Sequence, residues 1–164
     1  MVGANYTGNL EHAIIASLAA LVTVLPLGSS QAGSVEDAKP VVAATDLDSK
    51  HFFALGMIES GNDDRGIGRG GEVSRYQIHP SVWKVYSAST EYRNPEVAAQ
   101  VARQHWNYLT NYFREFAGRD PTSFDMYVLW NTRYGHYARR GFDPARLSSL
   151  IRDRAQRFVN LVNR

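Results

Sequence analysis

The feature that most constrains the fold is a long amphipathic segment at residues 95–116. Asn94 is a favourable N-cap, Pro95 is a favourable first helical residue, and Gly118 is a typical helix end. Apolar residues follow one helix face at spacings of three and four positions: Val97, Val101, Leu109, Tyr112, Phe113 and Phe116. The segment is therefore predicted to be the longest helix of the protein.

Shorter segments on both sides also carry helical signals, and no part of the chain shows the alternating pattern of a long strand. They cover residues 50–60, 79–89, 120–132 (with an expected cap at Asp120) and 144–163. Residues 61–75 are rich in Gly, Asp and Arg, so they are predicted to form a loop or a small hairpin. The fold is therefore predicted to be mainly α. Four arginines near the end are expected to form a solvated basic face: Arg146, Arg152, Arg154 and Arg157.

The N-terminal part contains an uncharged apolar run at residues 13–27, which is shorter than the roughly 20 residues of a membrane-spanning helix. Ser30 and Ala32 follow it as small residues around a possible cleavage point. No Lys or Arg precedes the run, so an uncleaved anchor, a buried helix or a different start is also compatible with it. Residues 1–32 are predicted to be a signal peptide or N-terminal anchor, residues 33–50 a linker, and residues 51–164 the folded domain. Export to the periplasm or the extracellular space is expected, with membrane contact only through residues 1–32.

The composition excludes several kinds of site. The chain has no cysteine, which excludes a disulfide framework, a cysteine-ligated zinc site, a thiol nucleophile and a lipid-modified N-terminal cysteine. The histidines show no metal-ligand spacing, and the glycine-rich residues 66–71 follow no predicted strand, so no metal or other cofactor is expected. A formal net charge of +2 and a pI near 9.0 are too weakly basic for a nucleic-acid-binding surface.

Glu59 is the strongest candidate for a catalytic residue. It follows the apolar stretch FFALGMI and precedes the loop at residues 61–75. An apolar setting raises the pKa of a carboxyl group because it disfavours the charged form. A carboxylic acid that stays protonated can give its proton to the leaving oxygen of a glycosidic bond. The alternative is a solvated glutamate at a helix end.

Three motifs occur in order: MIESGN at residues 57–62, YQIHPSVW at 76–83, and LWNTRYG at 129–135. Together they resemble the lytic transglycosylases and goose-type lysozymes over residues 51–137. Positions that agree with the family pattern include Gly71, Gln77, Ile78, Pro80, Trp83 and Asn131. Glu72, Ser74, Arg75 with Tyr76, and Thr132 with Arg133 depart from it, so the chain resembles a divergent member. The resemblance implies a lysozyme-like α (α+β) domain, in which the small loop or hairpin region lies between the catalytic helix and the next helix.

The resemblance also implies an activity and a set of roles. The substrate would be peptidoglycan or a related N-acetylglucosamine polymer, cleaved between N-acetylmuramic acid and N-acetylglucosamine. Glu59 would be the general acid and then, in a transglycosylase, the base that acts on the 6-hydroxyl of the sugar. The remaining residues would bind substrate or orient Glu59: Ser60, Tyr76, Gln77, Asn131 and Tyr134, with Tyr137 beside them. Each of these has an alternative role in the core or in fixing the loop.

A hydrolytic lysozyme or chitinase usually needs a second carboxylate. Glu72 is the best candidate for it, and Asp63 and Asp64 are others. The alternative for Glu72 is an ion pair with Arg69 or Arg75. Two readings without catalysis stay open: an idle glycan-binding module of the same fold, and a helical protein with no glycan role. The protein is expected to be a monomer.

Overall fold

The computed structural model describes residues 47–164. The predicted signal peptide or anchor at residues 1–32, and residues 33–46 of the predicted linker, lie outside the described residues. The first helix begins at Ser49, two residues before the predicted domain boundary, because the Asp48 side chain accepts a hydrogen bond from the His51 amide and caps the helix. Leu47 is fully buried. The folded part of the chain therefore extends into the predicted linker.

The described residues are mainly helical, which confirms the coarse fold prediction. The helices in chain order are α1 (Ser49–Ser60), α2 (Pro80–Tyr86), α3 (Pro95–Ala117), α4 (Ser123–Asn131), α5 (Tyr134–Ala138), a short 3-10 helix (Pro144–Arg146) and α6 (Ser149–Val162). None of the helices within residues 47–164 combines the length and the apolar character required to cross a bilayer.

Helix α3 is the longest described helix, as predicted, and forms one side of the core. The predicted apolar face is wrong at its last residue, since Phe116 is 59% exposed. The Asn94 side chain accepts from the amides of Glu96 and Val97, and the helix ends at Gly118 in the left-handed conformation, with φ +66°. Its inward face is buried over three turns and more. The buried residues are Ala98, Val101, Ala102, Trp106, Leu109, Thr110 and Phe113.

Helix α6 packs against both α1 and α4, and α4 also packs on α3. Tyr127 of α4 stacks on Phe158 of α6, with ring centroids 5.1 Å apart and an interplanar angle of 21°. Both side chains are fully buried. The packing of α6 against α1 and α4 is what brings residues from both ends of the domain to the end of α1.

The segment between α1 and α2 forms a small hairpin, one of the two predicted alternatives. Val73 and Ile78 exchange backbone hydrogen bonds of 2.9 and 3.0 Å as an isolated antiparallel bridge. Ser74 and Gln77 within the turn have positive φ angles of 65° and 50°. The described residues contain no longer strand. A hydrogen bond of 2.9 Å from Ser60 Oγ to the Arg75 carbonyl oxygen ties this turn to the end of α1.

The second half of the chain differs from the prediction at two helix starts. The cap of α4 is Thr122 and not Asp120, because the side chains of Thr122 and Asp125 bond reciprocally to each other's backbone amides. The helix predicted at residues 144–163 is instead a 3-10 helix (Pro144–Arg146) followed by α6. Ser148 is the N-cap of α6, because its side chain accepts a hydrogen bond from the Ile151 amide.

Candidate functional site

Glu59 lies in the last turn of α1, which ends at Gly61 with φ +71°. Its side chain is only 9% exposed. The Tyr127 hydroxyl donates a hydrogen bond of 2.6 Å to Glu59 Oε1. Arg154 Nη2 lies 3.5 Å from Glu59 Oε2, and Arg154 Nε donates to the Tyr127 hydroxyl at 3.2 Å. The carboxylate therefore closes a three-residue network built from α1, α4 and α6.

The surroundings of Glu59 raise the pKa of its carboxyl group. Burial is the largest influence and raises the pKa of Glu59, and the negative charge of Glu72 also raises it. The hydrogen bond from Tyr127 and the positive charge of Arg154 act in the opposite direction. The pKa stays above the ordinary value for a glutamate. This carboxyl group can hold a proton at a higher pH than a surface glutamate and can then release it to a bound group.

Glu72 lies in the hairpin segment and is partly buried. Its Oε2 accepts a hydrogen bond of 2.9 Å from the Gly70 amide. The ion pair that was the alternative for Glu72 is absent, since neither Arg69 nor Arg75 pairs with it among the described residues. Arg75 instead pairs with Asp64, with Nε 2.6 Å from Oδ1. Glu72 therefore carries its charge without a cation partner in the described part of the chain.

The side chains of Glu72 and Gln77 both lie against the backbone of Gly68. A Cβ atom at Gly68 would lie 2.1 Å from Glu72 Oε2 and 2.5 Å from Gln77 Oε1. Both contacts are too short for a real Cβ, so the glycine lets the backbone approach the two side chains. Gln77 Nε2 donates to the carbonyl oxygens of Gly66 and Ser74 at 3.2 and 3.0 Å. Gln77 thus fixes the loop while its amide oxygen lies beside Glu72.

Two of the predicted substrate-binding residues occupy structural positions. Ser60 Oγ donates to the Arg75 carbonyl oxygen at 2.9 Å and accepts from the Asp63 amide at 3.0 Å, so it closes the base of the loop. Tyr76 is 4% exposed, and its ring centroid lies 5.6 Å from that of Phe52. These contacts give Ser60 a role in fixing the loop and Tyr76 a role in the core, which were the alternatives to substrate binding.

The predicted residues at the end of α4 divide into two groups. Asn131 and Tyr134 are partly exposed, and Tyr134 packs its ring against Tyr112 with centroids 5.0 Å apart. Tyr137 is fully buried, and its hydroxyl donates to Asp125 Oδ1 at 2.8 Å. The structure therefore places Tyr137 in a separate carboxylate network and not against Glu59.

Tyr127 and Arg154 are the site residues that sequence reasoning missed. Arg154 was expected on a solvated basic face, and this is wrong, because Arg154 turns toward Glu59 while Arg146, Arg152 and Arg157 stay exposed. Tyr127 stands in the apolar stretch FDMYVLW. A buried tyrosine hydroxyl usually needs a hydrogen-bond partner. The tyrosine in this apolar stretch was therefore the one sequence signal for a polar group inside the core, and the structure shows that the group is the Glu59 carboxylate.

The described residues contain no group of three or more His, Cys, Asp or Glu that could hold a metal ion. A groove of about 510 Å³ lies between residues 64–67 and residues 90–94. Neither Glu59 nor Glu72 lines it, so the groove is a feature separate from the carboxylate network.

Comparison with known proteins identified no matching family model, no matching curated protein and no matching solved structure for this chain. A function for the chain therefore rests on the chemistry of its site.

Proposed function

We propose that this protein is an exported, lysozyme-like enzyme that cleaves the glycosidic bond between N-acetylmuramic acid and N-acetylglucosamine in peptidoglycan. Glu59 is the general acid. The observation that carries the proposal is the 9% exposed Glu59 carboxyl group, whose pKa burial raises and which the Tyr127 hydroxyl contacts at 2.6 Å. The sequence motifs around Glu59, Gln77 and Asn131 supply the substrate class.

In the proposed reaction, protonated Glu59 gives its proton to the glycosidic oxygen as the bond to the sugar breaks. The carboxylate that results keeps the hydrogen bond from Tyr127 and the charge of Arg154, which stabilise it. In lytic transglycosylation the same carboxylate then takes the proton of the sugar's own 6-hydroxyl, whose oxygen closes an anhydro ring. This route needs one carboxylate and no water.

A second route is hydrolysis, with Glu72 as the second carboxylate. The observation in its favour is that Glu72 has no cation partner in the described residues, while its charge acts on Glu59. Mass spectrometry of the products separates the routes, because transglycosylation leaves an anhydro end and hydrolysis leaves a reducing end.

The enzyme proposal is tested with the Glu59→Gln variant, because glutamine keeps the shape of the side chain but has no acidic proton. Wall lysis, thermal melting and wall binding are measured together, with the exposed Glu96→Gln as the matched control. We expect Glu59→Gln to lose wall lysis while it still binds walls and its melting temperature does not fall. Glu96→Gln is expected to lyse walls normally. Comparable lysis by a folded Glu59→Gln variant would reject the proposal. Wall binding without lysis by the unaltered protein would indicate an idle glycan-binding module.

A further inference from the structure

Four tyrosines from three helices meet on one face of the domain. The ring of Tyr134, at the start of α5, lies 5.0 Å from that of Tyr112 and 6.0 Å from that of Tyr108. Tyr108 stacks on His105 at 6.3 Å, and the Tyr86 hydroxyl lies 3.2 Å from His105 Nδ1. These five residues form the tyrosine cluster: Tyr86, His105, Tyr108, Tyr112 and Tyr134.

The tyrosine cluster lies at the edge of the core, where its tyrosine side chains pack on the core and are also partly open to solvent. All five side chains are partly exposed, whereas Trp106 and Phe113 of α3 are buried. Phe116 extends the row, with its ring 4.7 Å from that of Tyr112 and 59% of its surface exposed. From His105 to Phe116 the row follows about 16 Å of the α3 axis. It is therefore an extended aromatic surface.

The tyrosine cluster is also uncharged. Burial, and then the nearby Tyr134 phenol, raise the pKa of Tyr86 to about 12. Burial lowers the pKa of His105 to about 4, so both side chains are neutral near pH 7. The charges that act on Tyr112, from Arg139 and Glu115, have opposite signs. The surface therefore offers ring faces and hydroxyl groups without a net charge.

This combination matches the chemistry of a neutral sugar polymer. The apolar face of a sugar ring packs on an aromatic ring, and phenol hydroxyls both donate and accept hydrogen bonds to sugar hydroxyl and amide groups. A nucleic acid would require a concentration of cations instead. Tyr134 is itself one of the predicted substrate-binding residues and follows Asn131, the last residue of α4, by three positions. The cluster therefore includes one predicted binding residue and lies close in the chain to another.

We propose that the tyrosine cluster is a sugar-binding platform that holds an N-acetylglucosamine-containing strand beyond the bond that is cleaved. The proposal rests on the proposed function for its ligand class. It adds Tyr86, Tyr108 and Tyr112 as binding residues, and it predicts that affinity depends on the length of the strand.

The test titrates the full-length Glu59→Gln protein with short and long oligomers of N-acetylglucosamine. Tyr112→Ala in this background is expected to weaken binding of the long oligomers by about two- to tenfold, the range of an aromatic packing interaction, with no effect on the shortest. Phe116→Ala is the second variant, since this largely exposed ring can be removed without unfolding the protein. Phe53→Ala removes an exposed aromatic ring from α1 and is the matched control.

Equal affinity of the parent, Tyr112→Ala and Phe116→Ala for long oligomers would overturn the platform proposal, as would a parent that binds no oligomer. Loss of a dimer in the variants, seen by sedimentation, would also overturn it and would identify a protein interface. Wall lysis by the unaltered protein is measured in parallel. Lysis with unchanged variant affinities rejects the platform alone, whereas Tyr112-dependent binding without lysis supports the platform and rejects the enzyme.

Discussion

Replacing Tyr127 by Phe removes one hydroxyl group and tests the electrostatic balance at Glu59 directly. This hydroxyl donates to Glu59 Oε1 at 2.6 Å in a site where the carboxylate is 9% exposed. A hydrogen bond to a charged group contributes about 1.5–3 kcal/mol, and one pKa unit corresponds to about 1.36 kcal/mol. Because the bond favours the ionised form, its loss is expected to raise the pKa of Glu59 by about 1 to 2 units.

The assay is the pH dependence of kcat/KM for lysis of soluble wall fragments. In the proposed mechanism Glu59 acts as an acid only while protonated, so the alkaline limb of the profile would report the loss of its proton. A higher pKa keeps the proton on Glu59 to a higher pH. The alkaline limb of Tyr127→Phe is therefore expected to move upward by about 1 to 2 pH units relative to the unaltered enzyme.

Tyr137→Phe is the matched control, because Tyr137 is a buried tyrosine whose hydroxyl donates to a carboxylate at 2.8 Å, but that carboxylate is Asp125. Both variants are expected to lower the melting temperature, and only Tyr127→Phe is expected to move the alkaline limb. An unmoved limb in a folded, active Tyr127→Phe enzyme would refute the reasoning. The titrating acid would then be a group other than Glu59, or its proton would be insensitive to Tyr127.

Three further predictions concern Glu59 and two charged groups that act on it. Arg154→Gln removes a positive charge that lowers the pKa of Glu59, so it is expected to move the alkaline limb upward. The shift should be less than about one unit, because Arg154 is 37% exposed and lies 3.5 Å from Glu59 Oε2, and solvent screens its charge. Arg157→Gln, on the same helix, is the control and should leave the limb in place. Glu72→Gln should lower kcat by a factor on the order of 100 if Glu72 is a second catalytic carboxylate, whereas a loss of only a few-fold with anhydro products would assign it a supporting role. Glu59→Gln should melt at a higher temperature than the unaltered protein at about pH 8 and lose this advantage near pH 4. The raised pKa of Glu59 means that folding takes up a proton, so stability falls as pH rises through this value; a variant that melts lower at alkaline pH would contradict this sign.

The sequence predicted α1 and α3 well because local interactions determine them. Asn94, Pro95 and Gly118 define α3 without help from the rest of the fold. The start of α4 was misplaced because Asp120 and Thr122 are both good caps by type. Only the Asp125 side chain, which bonds back to Thr122, decides between them. The break between the 3-10 helix and α6 has the same origin, since Ser148 competes with an otherwise continuous helical pattern.

The candidate site shows the same division between local and remote information. Glu59 and the Gly-rich loop are neighbours in the chain, and the sequence predicted that both belong to the site. Tyr127 reaches Glu59 from 68 residues away, and Arg154 reaches Tyr127 from 27 residues further along. Spacing along the chain carries no signal for such contacts, because they depend on how α6 packs against α1 and α4. The assignment of Arg154 to a solvated face failed for this reason.

The remote residues matter because an acid catalyst needs two opposed conditions. Burial alone would hold the proton on Glu59 so firmly that the anion formed during bond cleavage would be unstable. Partners alone would ionise Glu59 before substrate arrived. In this structure burial is the larger influence, and Tyr127 and Arg154 oppose it from α4 and α6. The pKa of Glu59 therefore stays above the ordinary value for a glutamate. In the proposed reaction, α4 and α6 give the carboxylate a hydrogen-bond donor and a cation once the proton has gone.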